Sequence, residues 1–219
     1  MKGKALVIAS HPDDEMLGCA GTLKKLILSG YEVVTVIVAQ GRSVEVDEYL
    51  QKQALLANQS LGIQKVTFLN LPNLKLDTLP LLHIVQKIEA VVELHQPSLI
   101  FTHHYGDLNR DHQITFQAVM TAARPLPSKK PIDIFCFETV SSTEWTTHTN
   151  DRQFKPNYYV DIKETYSSKL RALRYYDLEM KPFPHPRSYR GVNYLARVRG
   201  MEAGVEMAEA FEMIRMIWK

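Results

Sequence analysis

A run of small and branched apolar residues, Ala5-Leu6-Val7-Ile8-Ala9, gives way abruptly to Ser10-His11-Pro12-Asp13-Asp14-Glu15 and then to a helix-forming stretch over residues 16–28. An apolar run of that length reads as a strand buried on both faces. A second strong strand, residues 31–39, follows Gly30 directly and is rich in β-branched residues. Strand, helix, strand is the repeating unit of a parallel sheet. In such sheets ligands gather at the carboxyl ends of the strands. One imidazole and three carboxylates therefore crowd the edge where an open α/β sheet binds its ligand. Acids at a helix N-terminus gain from the dipole, and capping accounts for one or two of them. It does not account for a histidine beside them, held in register by a proline. A divalent metal does, because His and Asp are ordinary zinc ligands and a catalytic site uses three protein ligands plus water.

The alternation continues along the chain. Residues 46–61 present an apolar helical face through Leu50, Ala54, Leu55, Ala57 and Leu61, and Gly62 is a good C-terminal stop. A third strand over 66–69 is followed by a helix over 78–95. His83 and His95 on that helix lack acids at ligand spacing and read as surface or satisfied side chains. Pro97 opens a fourth strand, 98–102, which ends in a second dense cluster, His103-His104-Tyr105-Gly106-Asp107-Leu108-Asn109-Arg110-Asp111-His112. A helix over 113–123 comes next, then a fifth strand over 132–138 and a polar loop. Residues 158–162 predict an edge strand and 163–179 a helix, broken by the proline-rich stretch 181–186. The tail from Ser188 is mostly helical by propensity, while no pattern assigns residues 209–217.

With 219 residues, 45% hydrophobic and 23% charged, the expectation is one α/β domain over residues 1–219. A formal charge of +2 argues against a dedicated nucleic-acid binder. No apolar run is long enough to span a bilayer, and the first one is too brief for a signal peptide. Cys19 and Cys136 are far apart in sequence, so a reduced, cytoplasmic protein is the expected setting. Asn58-Gln59-Ser60 matches a glycosylation acceptor by coincidence on this reading.

Strands one and four of such a sheet can be neighbours, which would bring His11, Asp13, Asp14 and His112 together. His11 and Asp14 are i and i+3 on the turn entering a helix, so both can reach one point. Asp14 then reads as the ligand and Asp13 as the general base, although spacing alone leaves the reverse open. Zinc lowers the pKa of its bound water to about 7, and attack on an amide carbonyl gives an oxyanion that the metal and a nearby donor stabilise. Asp111 is placed to hold a histidine ring, to cap the helix, or to do both. Arg42, just past the second strand, is a contact for an acidic or phosphate-bearing substrate or else a solvated loop residue. The same choice holds for Arg187, Arg190, Arg197 and Arg199, which meet a phosphate or form a helix face or subunit contact.

Ser10-His11-Pro12-Asp13-Asp14-Glu15 with Leu17-Gly18-Cys19-Ala20-Gly21-Thr22, and Gly106-Asp107-Leu108-Asn109-Arg110-Asp111-His112, resemble the PIG-L/LmbE-like family of zinc-dependent N-deacetylases. His185-Pro186-Arg187-Ser188 and Ala208-Glu209-Ala210-Phe211 resemble members that act on sugars. The resemblance implies a Rossmann-like three-layer sandwich with a mostly parallel sheet and the metal at the carboxyl edge. It implies Zn2+, with Fe2+ or cobalt also compatible with His and Asp. It further implies hydrolytic removal of acetyl from an N-acetylated sugar of N-acetylglucosamine type, with a nucleotide or lipid linkage left open. His11, Asp14 and His112 match the family's metal ligands and Asp13 its base. The last stretch would then be a strand, and a homo-oligomer is compatible with the resemblance.

One position departs from the pattern, because Asn109 stands where several members carry a histidine. An asparagine can donate to an oxyanion but cannot supply a proton at pH 7. The acid role then falls to His185, to His104, or to Asp13 after it has taken the water's proton. His185, fixed between Pro184 and Pro186, is the preferred candidate, with Asn109 and Arg187 as substrate contacts. Three rival readings remain. A nucleotide-binding Rossmann protein lacks its glycine-rich turn here, and a silent sugar- or metal-binding protein has no need of Asp13. A metal amidase acting on a thiol conjugate or another non-sugar amide keeps the chemistry and changes the substrate.

Overall fold

The computed structural model describes residues 2–41, 43–147, 149 and 151–218. Arg42 lies outside the described residues. Strands β1 (Gly3–Ala9), β2 (Tyr31–Ala39), β3 (Lys65–Leu71), β4 (Leu99–His103) and β5 (Asp133–Phe137) pair in parallel. β6 (Tyr158–Asp161) and β7 (Ala208–Arg215) complete a seven-stranded sheet of order β3-β2-β1-β4-β5-β7-β6. β7 is antiparallel to both of its neighbours. The mostly parallel α/β architecture is the one expected from the alternation of apolar runs.

Alternation along β1 divides the core in two. Ala5, Val7 and Ala9 face one layer, made by α1 (Asp14–Leu28), α2 (Val44–Leu61), α5 (Tyr166–Leu173) and α6 (Tyr189–Ala203). Leu6 and Ile8 face the other, made by α3 (Leu81–His95) and α4 (Arg110–Ala122). Both faces of the central strands are covered, which is why they read as continuous apolar runs rather than alternating ones. Gly62 ends α2 with φ 99°, the left-handed conformation that glycine adopts without strain.

Two boundaries differ from the sequence reading. α4 starts at Arg110 rather than near 113, so Asp111 and His112 lie in its first turn. The helix expected over 163–179 is α5 alone, followed by a 3-10 turn at Arg174–Tyr176. Residues 208–215, which no pattern assigns, form the strand that the family resemblance implies, although alanine, glutamate and methionine favour helix, because the sheet offers a slot between β5 and β6. Asn58 is fully buried, so the apparent glycosylation acceptor is a core residue. No described helix is long and apolar enough to cross a membrane.

α1 is not continuous. Cys19 leaves helical geometry with φ −147° and ψ 16°, which splits the helix into two pieces. The break frees backbone groups in the core, and a buried ion pair takes them up. Glu209 of β7 accepts the N–H of Gly21 at 3.0 Å and of Thr22 at 2.7 Å. Lys169 of α5 donates to Leu17 O at 2.7 Å and to Glu209 at 2.7 Å. Removing one partner of a buried pair strands the other charge. Lys169→Met is therefore expected to lower stability by about 3–5 kcal/mol, read as a shift of the urea midpoint at unchanged slope.

Candidate metal centre

Connections leave β1 towards β2 on one side, and β4 and β5 lie on the other. That divergence opens a crevice at the carboxyl ends of β1 and β4, where doubly wound sheets bind ligands. The turn after β1 delivers His11, Asp13 and Asp14, and the first turn of α4 delivers His112. His11 Nδ1 and Asp14 Oδ2 are 3.3 Å apart, as are His112 Nε2 and Asp14 Oδ2, and His112 Nε2 and His11 Nδ1. A tetrahedral ion with bonds of about 2.0–2.1 Å needs its ligand atoms about 3.3–3.4 Å apart. The triangle has the ligand-to-ligand spacing that His11, Asp14 and His112 would need to hold such an ion.

The outer nitrogens settle which lone pairs point inward. His11 Nε2 lies 3.0 Å from Asp111 Oδ2, so its proton goes there and Nδ1 faces the centre. His112 Nδ1 lies 3.2 Å from Asp107 Oδ1, an ion-pair contact off the ideal hydrogen-bond line, and its Nε2 faces the centre. Two imidazole nitrogens and a carboxylate oxygen thus converge, an arrangement that a divalent cation satisfies and that, without one, protons shared with Asp14 satisfy. Burial lowers the His112 pKa, but the charges of Asp14 and Asp107 outweigh it and push it up to about 10. His103 stacks on His112 with centroids 3.8 Å apart and accepts the Ser10 N–H at 2.8 Å.

Asp111 holds His11 but does not cap its helix, which corrects half of the sequence reading. Its carboxylate also accepts the N–H of Leu74 at 2.7 Å and of Leu76 at 3.1 Å, fastening the loop after β3. The cap is Asn109, whose side-chain oxygen accepts Asp111 N–H at 2.9 Å. With its oxygen so engaged, the Asn109 side chain keeps its amide N–H2 as a donor, and the residue lines the cleft.

Asp13 sits at the N-cap of α1, yet its side chain makes no cap bond, with φ 107° and ψ −31°. Such a conformation costs about 1–3 kcal/mol in an L-residue and is typical of functional positions. Its Oδ2 accepts from Arg187 Nη1 at 2.8 Å. Burial pushes its pKa well up, and Arg187 opposes that only in part while Asp14, Glu179 and Glu15 add to it. Burial likewise lifts the neighbouring Glu15 to about 7.

A cleft of about 650 Å³ lies over this cluster. Gln40, Asn73, Asn109, Ser141, Lys181 and His185 are among the residues that line it. His185 Nδ1 accepts the Arg187 N–H at 3.1 Å, which leaves Nε2 as the protonated nitrogen of the neutral ring. His104 is excluded from the acid role, being fully buried between Glu212 at 2.9 Å and Arg152 O at 2.8 Å. The arginines do not form a patch either. Arg187 is spent on Asp13 and Ser141, Arg199 on Glu138 and Glu202, and Arg197 on Asn193. Arg190 stacks over Phe183 at 4.2 Å.

Asp107 is the residue that sequence reasoning missed. It is fully buried, accepts from Ser142 and from Thr143 at 2.6 Å, and is held at about 2. Burial works against that low value, and the His112 charge with the hydrogen bonds of His112, Ser142 and Thr143 overcomes it. A signal was present, since two ligand imidazoles each want a carboxylate and only Asp111 had been assigned to one.

Comparison with known proteins supplies the class. Residues 6–123 match the PIG-L family, described as GlcNAc-PI de-N-acetylase. The chain belongs to that family. It is 29% identical over 178 residues to the uncharacterized deacetylase YaiS of Escherichia coli K12, covering 77% of this chain and 88% of that one. It is 28% identical over 192 residues to diacetylchitobiose deacetylase of Thermococcus kodakarensis, covering 78% and 68% respectively. Among solved structures, N,N'-diacetylchitobiose deacetylase of Pyrococcus horikoshii superposes with TM-score 0.79 at 23% identity, over 97% of this chain and 84% of that one. GalB, the 4-carboxy-2-hydroxymuconate hydratase of Pseudomonas putida KT2440, superposes with TM-score 0.78 at 17% identity, over 99% and 98%. The fold is thus shared with a hydratase as well as with deacetylases, and the reaction has to be argued from the site.

Two outcomes are expected for metal binding. Affinity for zinc rises with pH from 6 to 9, because His11 and His112 both have raised pKa values and must lose protons to bind. Calorimetry in buffers of different ionisation heat reads the protons released. Asp107→Asn weakens zinc binding by about 10–100-fold while leaving the three ligands in place, as measured by competition with a chromogenic chelator.

Proposed function

We propose that the chain is a metal-dependent hydrolase that removes the acetyl group from an N-acetylated sugar of N-acetylglucosamine type, acting as one domain over residues 1–219. The observation that carries this reading is the inward-facing His11, Asp14 and His112 triangle with a separate acid, Asp13, beside it. A binding protein needs the triangle alone. Membership of the PIG-L family and similarity to a diacetylchitobiose deacetylase support an N-acetyl sugar as substrate. The cleft is of a size suited to a small-molecule ligand. Gln40, Asn73 and Ser141 give it polar, uncharged groups for sugar hydroxyls.

His11, Asp14 and His112 would hold a divalent ion, with zinc the best match to two imidazoles and a carboxylate. When bound, such an ion lowers the pKa of water to about 7 and polarises a carbonyl. The chain's own residues do the rest. Asp13, oriented by Arg187, accepts a proton from the attacking water, whose oxygen bonds to the acetyl carbon. The Asn109 amide N–H donates to the carbonyl oxygen as it gains charge. Cleavage of the C–N bond sends its electron pair to the sugar nitrogen, which takes the proton that Asp13 accepted from the water. The acetic acid formed loses its remaining proton to solvent. His185, with Nδ1 accepting from Arg187 N–H, has no spare proton to give and offers its Nε2–H to the substrate as a hydrogen-bond donor. Acetate and the free amino sugar leave. Arg187 thus serves the base directly, and any contact it makes with substrate is additional.

The test is acetate release from a panel of N-acetyl sugars, free, nucleotide-linked and lipid-linked, with and without chelator. Turnover is expected on at least one sugar and lost with complete metal removal. Asp13→Asn is expected to lower kcat by about 10²–10⁴-fold with bound metal retained. Activity that survives the chelator would overturn the mechanism. Loss of metal in the Asp13 variant would mean that base and ligand are exchanged.

A further inference from the structure

Glu15 is the one acid of the Asp13-Asp14-Glu15 run that does not line the cleft. It is fully buried, and the reaction just described gives it no task. All its contacts are nevertheless specific. Oε2 accepts the N–H of Asp13 at 3.0 Å. Oε1 accepts the Tyr176 hydroxyl at 2.6 Å and the Asn58 amide at 3.2 Å. Asn58 is itself fixed by Thr35 of β2 at 2.5 Å and by Ala54 O at 2.8 Å. Glu15 is therefore braced from β2, α2 and the turn after α5.

An aspartate at a helix N-cap ordinarily has extended backbone, and its carboxylate folds back onto the amide of N2 or N3. A base so engaged would be turned away from a substrate. In this chain φ of Asp13 is 107° and its side chain makes no cap bond, so the carboxylate is released to Arg187 and the cleft. The capping relation runs in reverse, because the Glu15 side chain takes up the amide of the N-cap residue. Relaxing Asp13 to extended backbone would swing that amide away and leave a buried carboxylate oxygen without its donor, which is costly.

We propose that Glu15 is a positioning residue, braced by Tyr176 and Asn58, whose bond to the Asp13 N–H holds the strained N-cap and so keeps the general base out of the helix cap and aimed at the substrate. The inference rests on the reading of Asp13 as base, and its test has one arm that does not need turnover. Displacement of a reacting group by about 1 Å costs on the order of 10²-fold in rate. Glu15→Ala is accordingly expected to lower kcat about 100-fold with KM within about threefold and metal content unchanged, since the lost interaction acts on the transition state alone. Glu15→Gln keeps a carbonyl for the Asp13 N–H, and the Tyr176 hydroxyl can turn to accept from its amide, but that amide also meets the Asn58 N–H2 donor, so the loss is about tenfold, smaller than in Glu15→Ala. Tyr176→Phe removes one brace and gives a smaller loss in kcat, which keeps the test alive should Glu15→Ala fail to fold. In an Asp13→Asn background, Glu15→Ala is expected to cause no further loss, as two changes acting through one group are not additive.

The structural arm is a crystal structure of Glu15→Ala, or of Tyr176→Phe if the first does not fold. Relaxation of residue 13 to negative φ, with its carboxylate folded onto the helix amides, is expected in Glu15→Ala, and a partial shift in Tyr176→Phe. A Glu15→Ala chain that keeps φ near 107° at residue 13, a Glu15→Gln enzyme as slow as Glu15→Ala, or an additive loss in the Asp13→Asn background would each overturn the proposal. Should the wild-type chain release no acetate from any sugar, the functional reading fails while the crystallographic arm still decides whether Glu15 holds the turn.

Discussion

Too much negative charge is buried at the end of β1 for the structure to leave any of it uncompensated. Asp13, Asp14, Glu15, Asp107 and Asp111 are each at most 3% exposed and lie within one small region. An unpaired buried carboxylate costs several kcal/mol, so every one must find its own partner. The partners differ in kind. Asp14 faces imidazoles and a cation position, Asp13 has Arg187, and Glu15 has a tyrosine and an asparagine. Asp107 is met by two hydroxyls and His112, and Asp111 by two backbone amides and His11. Those separate solutions keep five chemically similar groups in different protonation environments, which is what allows one of them to act as a base beside another that acts as a ligand.

This charge balance also dictates where the second half of the chain must go. Arg187, Tyr176, Ser142 and Thr143 all come from beyond residue 123, where the match to the family ends. None of them is a metal ligand. Each nonetheless neutralises or fixes an acid of the first half. The Lys169–Glu209 pair does the same one layer deeper, closing the break in α1 with groups from α5 and β7. The antiparallel insertion of β7 between β5 and β6 is thus more than a way to end a sheet. It carries Glu209 to the broken helix and Glu212 to His104.

How much of this was legible in the sequence depends on the range of the interaction. The β–α alternation follows from local periodicity and is met, while the proximity of His11 to His112 was only allowed by it, since alternation permits β1 and β4 to be neighbours without requiring it. The zigzag of β7 was invisible to pattern because its residues favour helix and only the slot between two strands overrides them. Arg187 pairs with Asp13 across 174 positions, and four arginines in a row of loops and helix gave no sign of which would turn inward. Asp111 was read as part cap because it stands at a helix start, yet Asn109 two residues earlier had the better geometry. Glu15 was legible as an acid and illegible as a brace, since its side-chain partners Asn58 and Tyr176 lie on two distant segments.

The turn over residues 141–145 shows why recognition and chemistry are hard to separate in such a site. Ser141 and Ser142 line the cleft, where a substrate would touch them. Ser141 Oγ also accepts from Arg187 Nε at 3.1 Å, and the same guanidinium holds Asp13. Ser142 and Thr143 hold Asp107, which in turn orients His112. The turn is therefore tied at one end to the base and at the other to a ligand. A substitution that reshapes it for a new substrate perturbs both groups at once. Variation in what the cleft accepts is freer at Gln40, which lines the cleft with no side-chain bond to the acids around the centre among the described residues, than at Asn73, whose neighbour Leu74 is held by Asp111.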